Sequence, residues 1–422
     1  MITRFSEKKN VYLCGTWGGR KRPQGCVRKY NNTNDMNYLD KALLYILSIC
    51  VIFIMGCSGK NSDPEPTPTE IPIGVVVSLT GSFSPYGPIQ QNGILLAISE
   101  INNKSLLPGK KITPYILDDR SVPDTCRGVF LELINTRKVM AIIGPTSSNS
   151  AFAADTIAQN RKVVVMGISN TVPGITGMGD YIFRNSLPES AVIPNTVQIT
   201  HDALKYSKVA VVYGDDDPYT LGAYNSFKSA LESTTGVSIV ATETVHKGDY
   251  QFTDLINRIK ASGPDIIVVA ALVNEASRFM VQARNLGIPD DIRFLGGNSF
   301  NTSKLWQQAG NAAQGAICGT AWIYTEETPG NAAFIENYIS IYGARPDQFA
   351  AQAYAAIYIL ADALKRSGQL NSTDLRNALA ATANLPTVLG MFSFDGNRDP
   401  VHPPVVQELI DGEFVVFKSS RR

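Results

Sequence analysis

From residue 71 onward the chain alternates short apolar runs with longer amphipathic stretches. Strand-like runs fall at 73–77, 112–117, 139–143, 163–167, 208–213, 237–241, 265–271 and 293–296. Helix-like stretches lie between them, among them 90–102, 148–160, 220–234 and 274–286. Short apolar runs bounded by turn signals fit strands buried on both faces. Gly263-Pro264 stops one helix directly before a strand. This βαβ alternation predicts parallel sheets covered by helices. After 330 the pattern changes. Two long helices, around 331–342 and 348–366, follow each other, and a third starts near Ser372. The tail from Met391 holds short strands, including 405–410 and 414–417.

Two of the predicted strand-to-helix turns are rich in hydroxyls. The first runs through Ser78, Thr80, Gly81 and Ser82; the second is Gly144-Pro145-Thr146-Ser147-Ser148. The first turn of a helix has free N–H groups and a partial positive charge. Hydroxyls added to it make a socket for a small anion such as a carboxylate. No nucleophile–base pair accompanies either turn, which points to binding rather than turnover.

The pieces VSLTGSFSPYG, GILLAISEINN, LDD at 117–119 and IIGPTSSNS, followed by VAVVYGDDDPYTLG, PDIIVVA and FMVQARNLG, carry a resemblance through their order and spacing. The chain resembles the type I periplasmic binding proteins, in the leucine/isoleucine/valine-binding subgroup of ABC transporter substrate-binding proteins, over roughly 71–417. The resemblance implies an α/β clamshell of two parallel-sheet lobes joined by three hinge crossovers, near 187–191, 318–322 and 389–393. Lobe one is then 71–188 plus 321–389, and lobe two 189–320 plus 390–422. In such sheets the ligand lies beyond the carboxyl ends of the strands.

Site residues follow position by position. Ser148 matches the serine that binds the ligand carboxylate; as bare sequence it reads equally as a helix N-cap. Ser169 and Thr171 match a loop that supplies backbone groups and a threonine to the same carboxylate, and Ser-Asn-Thr is also ordinary turn chemistry. Tyr86 and Tyr219 match aromatic walls, and Phe349 an apolar pocket position. One departure stands out. Asn298 occupies the place where amino-acid binders carry an acid for the ligand ammonium, and Leu272 the place of a second-lobe tyrosine. Either Asp119, Asp216, Asp217 or Glu275 substitutes, or the ligand is a branched aliphatic acid, an aromatic acid or an amide.

Charge separates the front of the chain from its body. The whole holds 38 Lys/Arg and 37 Asp/Glu; residues 1–57 hold nine and three, leaving 29 and 34. A mildly acidic body without a basic stripe argues against nucleic-acid binding. Lys41 precedes the uncharged run ALLYILSICVIFIMG, 42–56, short for a bilayer-spanning helix. It ends in Ile54-Met55-Gly56-Cys57, which resembles a lipobox, so 36–57 is read as a lipoprotein signal peptide with Cys57 acylated. The rival is an uncleaved signal anchor. Residues 58–70 form a Pro-rich polar tether, and 1–35 are read as a non-native or disordered extension. Cys126 and Cys318 are expected to be unpaired and buried.

The chain has three histidines, none in metal spacing, and lacks G-x-S-x-G, Walker and G-x-G-x-x-G motifs. No enzyme activity, metal or cofactor is expected. The sequence therefore reads as an extracytoplasmic, lipid-anchored, monomeric solute-binding protein. It would capture an amino acid or related small carboxylate and deliver it to an ABC permease. The alternative is a ligand-sensing or envelope-scaffold lipoprotein of the same fold.

Overall fold

The computed structural model describes residues 68–418. The expected extension, the signal peptide with Cys57, and the tether up to residue 67 lie outside the described residues. Among the described residues no helix is long and apolar enough to cross a membrane.

The first sheet contains β1 (Thr69–Val77), β2 (Lys110–Asp118), β3 (Ala141–Ile143), β4 (Val164–Gly167) and β5 (Ile182–Arg184), in the order β2-β1-β3-β4-β5. Every pairing is parallel. Alternate residues of these strands enter different cores, as the period of two requires. Val75, Val77, Ala141 and Ile143 pack into one cluster with helices Gly87–Asn103 and Gln348–Arg366. Val76, Ile142 and Val165 pack on the other face with helices Pro123–Asn135 and Ser148–Asn160. Both faces are apolar because both are covered.

The second sheet is built from β6 (Lys208–Gly214), β7 (Ser238–Val245), β8 (Ile266–Ala270), β9 (Arg293–Gly296) and β10 (Ile317–Thr320). Its edge is completed by β13 (Val405–Ile410) and β14 (Glu413–Val416), after the small hairpin β11 (Leu385–Thr387) and β12 (Gly390–Phe392). The order is β14-β13-β10-β9-β8-β6-β7, with the β10–β13 and β13–β14 pairings antiparallel and the rest parallel. Val209, Val211 and Val268 face helices Glu189–Leu204 and Pro218–Glu232, whereas Val212, Ile267 and Val269 face helices Thr253–Ser262 and Val273–Asn285.

The molecule thus has two α/β lobes, and the chain crosses between them three times. The first crossing follows β5 and the second follows β10. The third differs from its expected place near 389–393. Phe392 and Phe394 are packed in the first-lobe core, and β12 pairs with β11. Burial of these two rings keeps 390–394 with the first lobe, so the crossing comes only before β13. Arg184 at the end of β5 grips this return segment. Its Nε and Nη2 reach the Asp399 carboxylate at 2.6 and 3.0 Å, and its Nη1 donates to the carbonyls of Asn170 and Val172.

Cys126 and Cys318 are buried and free. Burial pushes the Cys318 thiol up to about 12, so it stays protonated at neutral pH.

Helices Gly87–Asn103 and Gln348–Arg366 touch backbone to backbone at Gly93. A Cβ there would lie 2.3 Å from the Ala350 carbonyl oxygen. Gly93→Ala is expected to force these helices apart and lower stability by about 1–3 kcal/mol, measured by urea denaturation of the purified chain.

Candidate functional site

Strands of a parallel sheet all deliver their following loops to the same edge. The carboxyl edges of the two sheets face each other, and a small pocket lies between them. Phe83, Tyr86, Thr146, Ser148, Ser169 and Phe349 line it from the first lobe; Tyr219, Leu272, Asn298 and Ser299 line it from the second. Six of the seven residues expected at a ligand site therefore meet at one pocket. Thr171 is set behind the lining, buried on the loop that follows β4.

The two hydroxyl-rich turns take different roles. In the first, hydroxyls are consumed by the loop itself. Ser78 donates to Asp119, and Thr80 to Asp118, which also accepts three backbone N–H groups. These donors hold the Asp118 carboxyl below its usual range against a burial effect of opposite sign. The turn is a brace for Tyr86, not an anion socket. In the second turn the N-cap is Ser147, whose oxygen accepts from the Ser150 N–H. Ser150 in turn donates to Asp119. Ser148 is left at the first helical position, 2% exposed, with no partner for its hydroxyl. The Thr171 hydroxyl is likewise buried and unpartnered.

Ser169 is not free. Its hydroxyl donates to the Thr146 carbonyl and accepts from Gln90, whose oxygen accepts from the Thr146 hydroxyl. Only its backbone is available to a ligand. This closed ring of hydrogen bonds fixes the floor of the pocket.

The aromatic walls also have their hydroxyls engaged. The Val273 N–H donates to the Tyr86 oxygen at 3.0 Å, and Tyr86 donates to the Ser299 carbonyl at 3.4 Å. Tyr86 belongs to the first lobe and both partners to the second, so this contact joins the lobes. The Ser299 N–H donates to Tyr219 at 2.7 Å. What these residues offer a ligand is ring surface; Tyr86 and Phe349 lie 4.7 Å apart, centroid to centroid.

The four acids considered as substitutes at the Asn298 position are all engaged elsewhere. Asp119 holds Ser78 and Ser150. Asp216 accepts from the Lys247 N–H. Asp217 caps helix Pro218–Glu232 and pairs with the Lys247 ammonium. Glu275 accepts from the Gly248 N–H and lies 3.9 Å from Arg278. None of them lines the pocket.

A fifth acid was not legible. Glu189 opens helix Glu189–Leu204, where an acidic residue ordinarily needs no special explanation. Here it is 1% exposed. One oxygen accepts from the Asn298 N–H at 2.9 Å, the Tyr219 hydroxyl bonds the carboxyl, and the other oxygen has no partner. Desolvation pushes this carboxyl up to about 7, with the two hydrogen bonds opposing the rise. Asn298 itself is fixed through its side-chain oxygen, which accepts from Gln348 and Asn301.

Among the described residues no cluster of His, Cys, Asp and Glu could hold a metal ion.

The raised Glu189 pKa has a direction in pH. Below about 4.5 the group is protonated in both folded and unfolded chains, and its contribution is fully present. As pH rises through about 7 the unfolded chain has already ionised and the folded one must follow, at a cost of roughly 3 kcal/mol. Glu189→Gln is therefore expected to reduce the loss of stability between pH 5 and pH 8, read from urea denaturation at both values. An unchanged difference between the two pH values would remove Glu189 as a buried, late-titrating group.

Similarity to known proteins can be set beside this geometry. The chain is 27% identical over 331 residues to the leucine-, isoleucine-, valine-, threonine-, and alanine-binding protein of Pseudomonas aeruginosa, a match that covers 78% of this chain and 87% of that one. It is similar in structure, with TM-score 0.77 and 31% identity, to the branched-chain amino acid transporter substrate binding protein LivJ of Streptococcus pneumoniae in complex with isoleucine, covering 82% of this chain and 98% of that one. It is also similar, with TM-score 0.73 and 26% identity, to a solute binding protein of an ABC transporter from Rhodopseudomonas palustris in complex with 3,4-dihydroxy benzoic acid, covering 82% and 95%. These are solute-binding proteins, not enzymes. Residues 70–413 match the family described as periplasmic binding protein, and on that match the chain belongs to this family.

Proposed function

We propose that the protein is the solute-binding component of an ABC importer. It captures a small carboxylate between its lobes and presents it to the permease. One observation carries the carboxylate: two buried hydroxyls, Ser148 and Thr171, stand without partners beyond the carboxyl edge of the first sheet. A buried hydroxyl left unpaired costs about 1–3 kcal/mol, so Ser148, which lines the pocket, favours a ligand atom that accepts a hydrogen bond, with Thr171 behind the lining. Ser148 also lies in the first turn of helix Ser148–Asn160, where free N–H groups and the helix dipole favour an anion.

The remaining walls suit the rest of a small organic acid. Phe83, Tyr86, Tyr219, Leu272 and Phe349 supply apolar surface on both sides. Closure of the lobes removes water from the ligand, and the Tyr86 contacts with Val273 and Ser299 hold the closed form. A ligand that touches both lobes shifts the population toward that form. Relatives carrying the same family fold bind amino acids or hydroxybenzoic acids in complexes of this kind.

The protein works as a monomer on the extracytoplasmic face, held by lipid on Cys57. The lipobox-like Ile54-Met55-Gly56-Cys57 and the Pro-rich spacer that follows support the anchor. Cys57→Ala is expected to lose incorporation of labelled fatty acid and to move the protein out of the membrane fraction. Loss of the label with retention in the membrane fraction would leave an uncleaved anchor as what holds the protein there.

Ser148→Ala and Thr171→Val are each expected to weaken binding of a small carboxylate by about 1–3 kcal/mol, measured by calorimetric titration, with the unfolding midpoint little changed. Unaltered affinity in both variants would dispose of the carboxylate assignment.

A further inference from the structure

We infer that the ligand is a carboxylic acid without an ammonium group, carrying a hydrogen-bond acceptor at the end of the pocket formed by Asn298. The inference rests on the carboxylate reading above and adds what the rest of the ligand must be.

One backbone group beside the pocket can act in one way only. The Ala321 N–H donates to the Gln348 side-chain oxygen at 2.6 Å, and the Thr320 hydroxyl donates to the same oxygen at 2.7 Å. An N–H cannot accept, so the Gln348 amide has a single orientation, with its NH₂ group on the other side. That NH₂ donates to Asn298. Asn298 must therefore present its oxygen to Gln348, and the Asn301 amide donates to the same oxygen at 3.3 Å. The oxygen is spent, and the Asn298 NH₂ group remains for the pocket that Asn298 lines. A side chain at this place donates; it does not accept.

The other polar groups of the lining leave no anion for a cation. The Tyr86 and Tyr219 hydroxyls are engaged with the Val273, Ser299 and Glu189 groups. The Ser299 hydroxyl donates to the Ala271 carbonyl, and the Thr146 and Ser169 hydroxyls close on Gln90. Glu189 lies behind Asn298, bonded to its N–H, and is not part of the lining. No carboxylate lines the pocket. An ammonium enclosed there would lose its water and meet a donor, a combination that is costly. A carbonyl or hydroxyl oxygen would meet the Asn298 NH₂ favourably, and an apolar body would fill the space between the Tyr86, Phe349, Tyr219 and Leu272 side chains.

The test uses matched acids on the purified full chain by calorimetric titration: leucine, 4-methyl-2-oxopentanoate and 4-methylpentanoate, then phenylalanine, phenylpyruvate and 3-phenylpropanoate. Within each set the oxo acid is expected to bind tightest and the amino acid weakest, by about thirtyfold or more. Asn298→Asp keeps the shape and turns the donor into an anion. It is expected to reverse the order by improving the amino acid and weakening the oxo acid. Ser148→Ala should weaken all acids that bind. Amino acids preferred by the parent protein, with Ser148→Ala still harmful, would overturn this inference and leave the carboxylate reading intact. Amino-acid binding abolished by Glu189→Gln would overturn it too, by making Glu189 the counter-ion. Acids indifferent to Ser148→Ala would overturn the reading on which it rests.

Discussion

A cleft that closes on its contents removes water from every polar group inside it, and each such group must then find a partner. That requirement organises this pocket. Groups that serve the protein are paired within it: Thr146, Ser169 and Gln90 in one ring of hydrogen bonds, Asp118 and Asp119 beneath the first turn, Tyr86 across the lobes. Against that background the unpaired groups are informative. Ser148 on one lobe and the Asn298 NH₂ on the other are the donors that the pocket lining leaves over, and no carboxylate lines it; the unpaired Glu189 oxygen stays buried behind Asn298.

The scaffold supplies this arrangement through strand direction. Because the strands of each lobe that face the cleft run parallel, their following loops gather at one edge. Residues as distant as Tyr86 and Ser299 meet there. The apolar cluster on one face of the second sheet continues into Phe83, Tyr86 and Phe349 from the first lobe. Closure is in part the completion of a hydrophobic core, and burial of these rings favours it.

Much of the architecture was legible because buried parallel strands are written as apolar runs. β1 to β4 and β6 to β9 all coincide with such runs. β5 and β10 did not declare themselves: one is Ile-Phe-Arg with its arginine turned to an ion pair, the other Ile-Cys-Gly-Thr with a glycine pressed against Val192 and Thr196. The third crossing near 389–393 is implied by the resemblance alone, and nothing in the local pattern reveals that Phe392 and Phe394 are buried in the first-lobe core. At the site, Ser148 and the aromatic positions are expected through the resemblance, and the structure brings them to one pocket. Glu189 was missed because nothing local distinguishes it from any acid in a helix's first turn. The Gln348–Asn298 bond spans fifty positions and leaves no trace in periodicity.

The bond between Gln348 and Asn298 also crosses from one lobe to the other. Gln348 leads a helix packed in the first lobe, and Asn298 follows a strand of the second. While the lobes are apart, the Asn298 oxygen keeps only the longer bond from Asn301 of its own lobe, and the amide is held less firmly. The polarity of the pocket is then fixed most firmly in the shut molecule. An open cleft would admit amino acids and oxo acids with similar ease. Selection between them would be exercised as the lobes come together and expressed in how long each solute is retained.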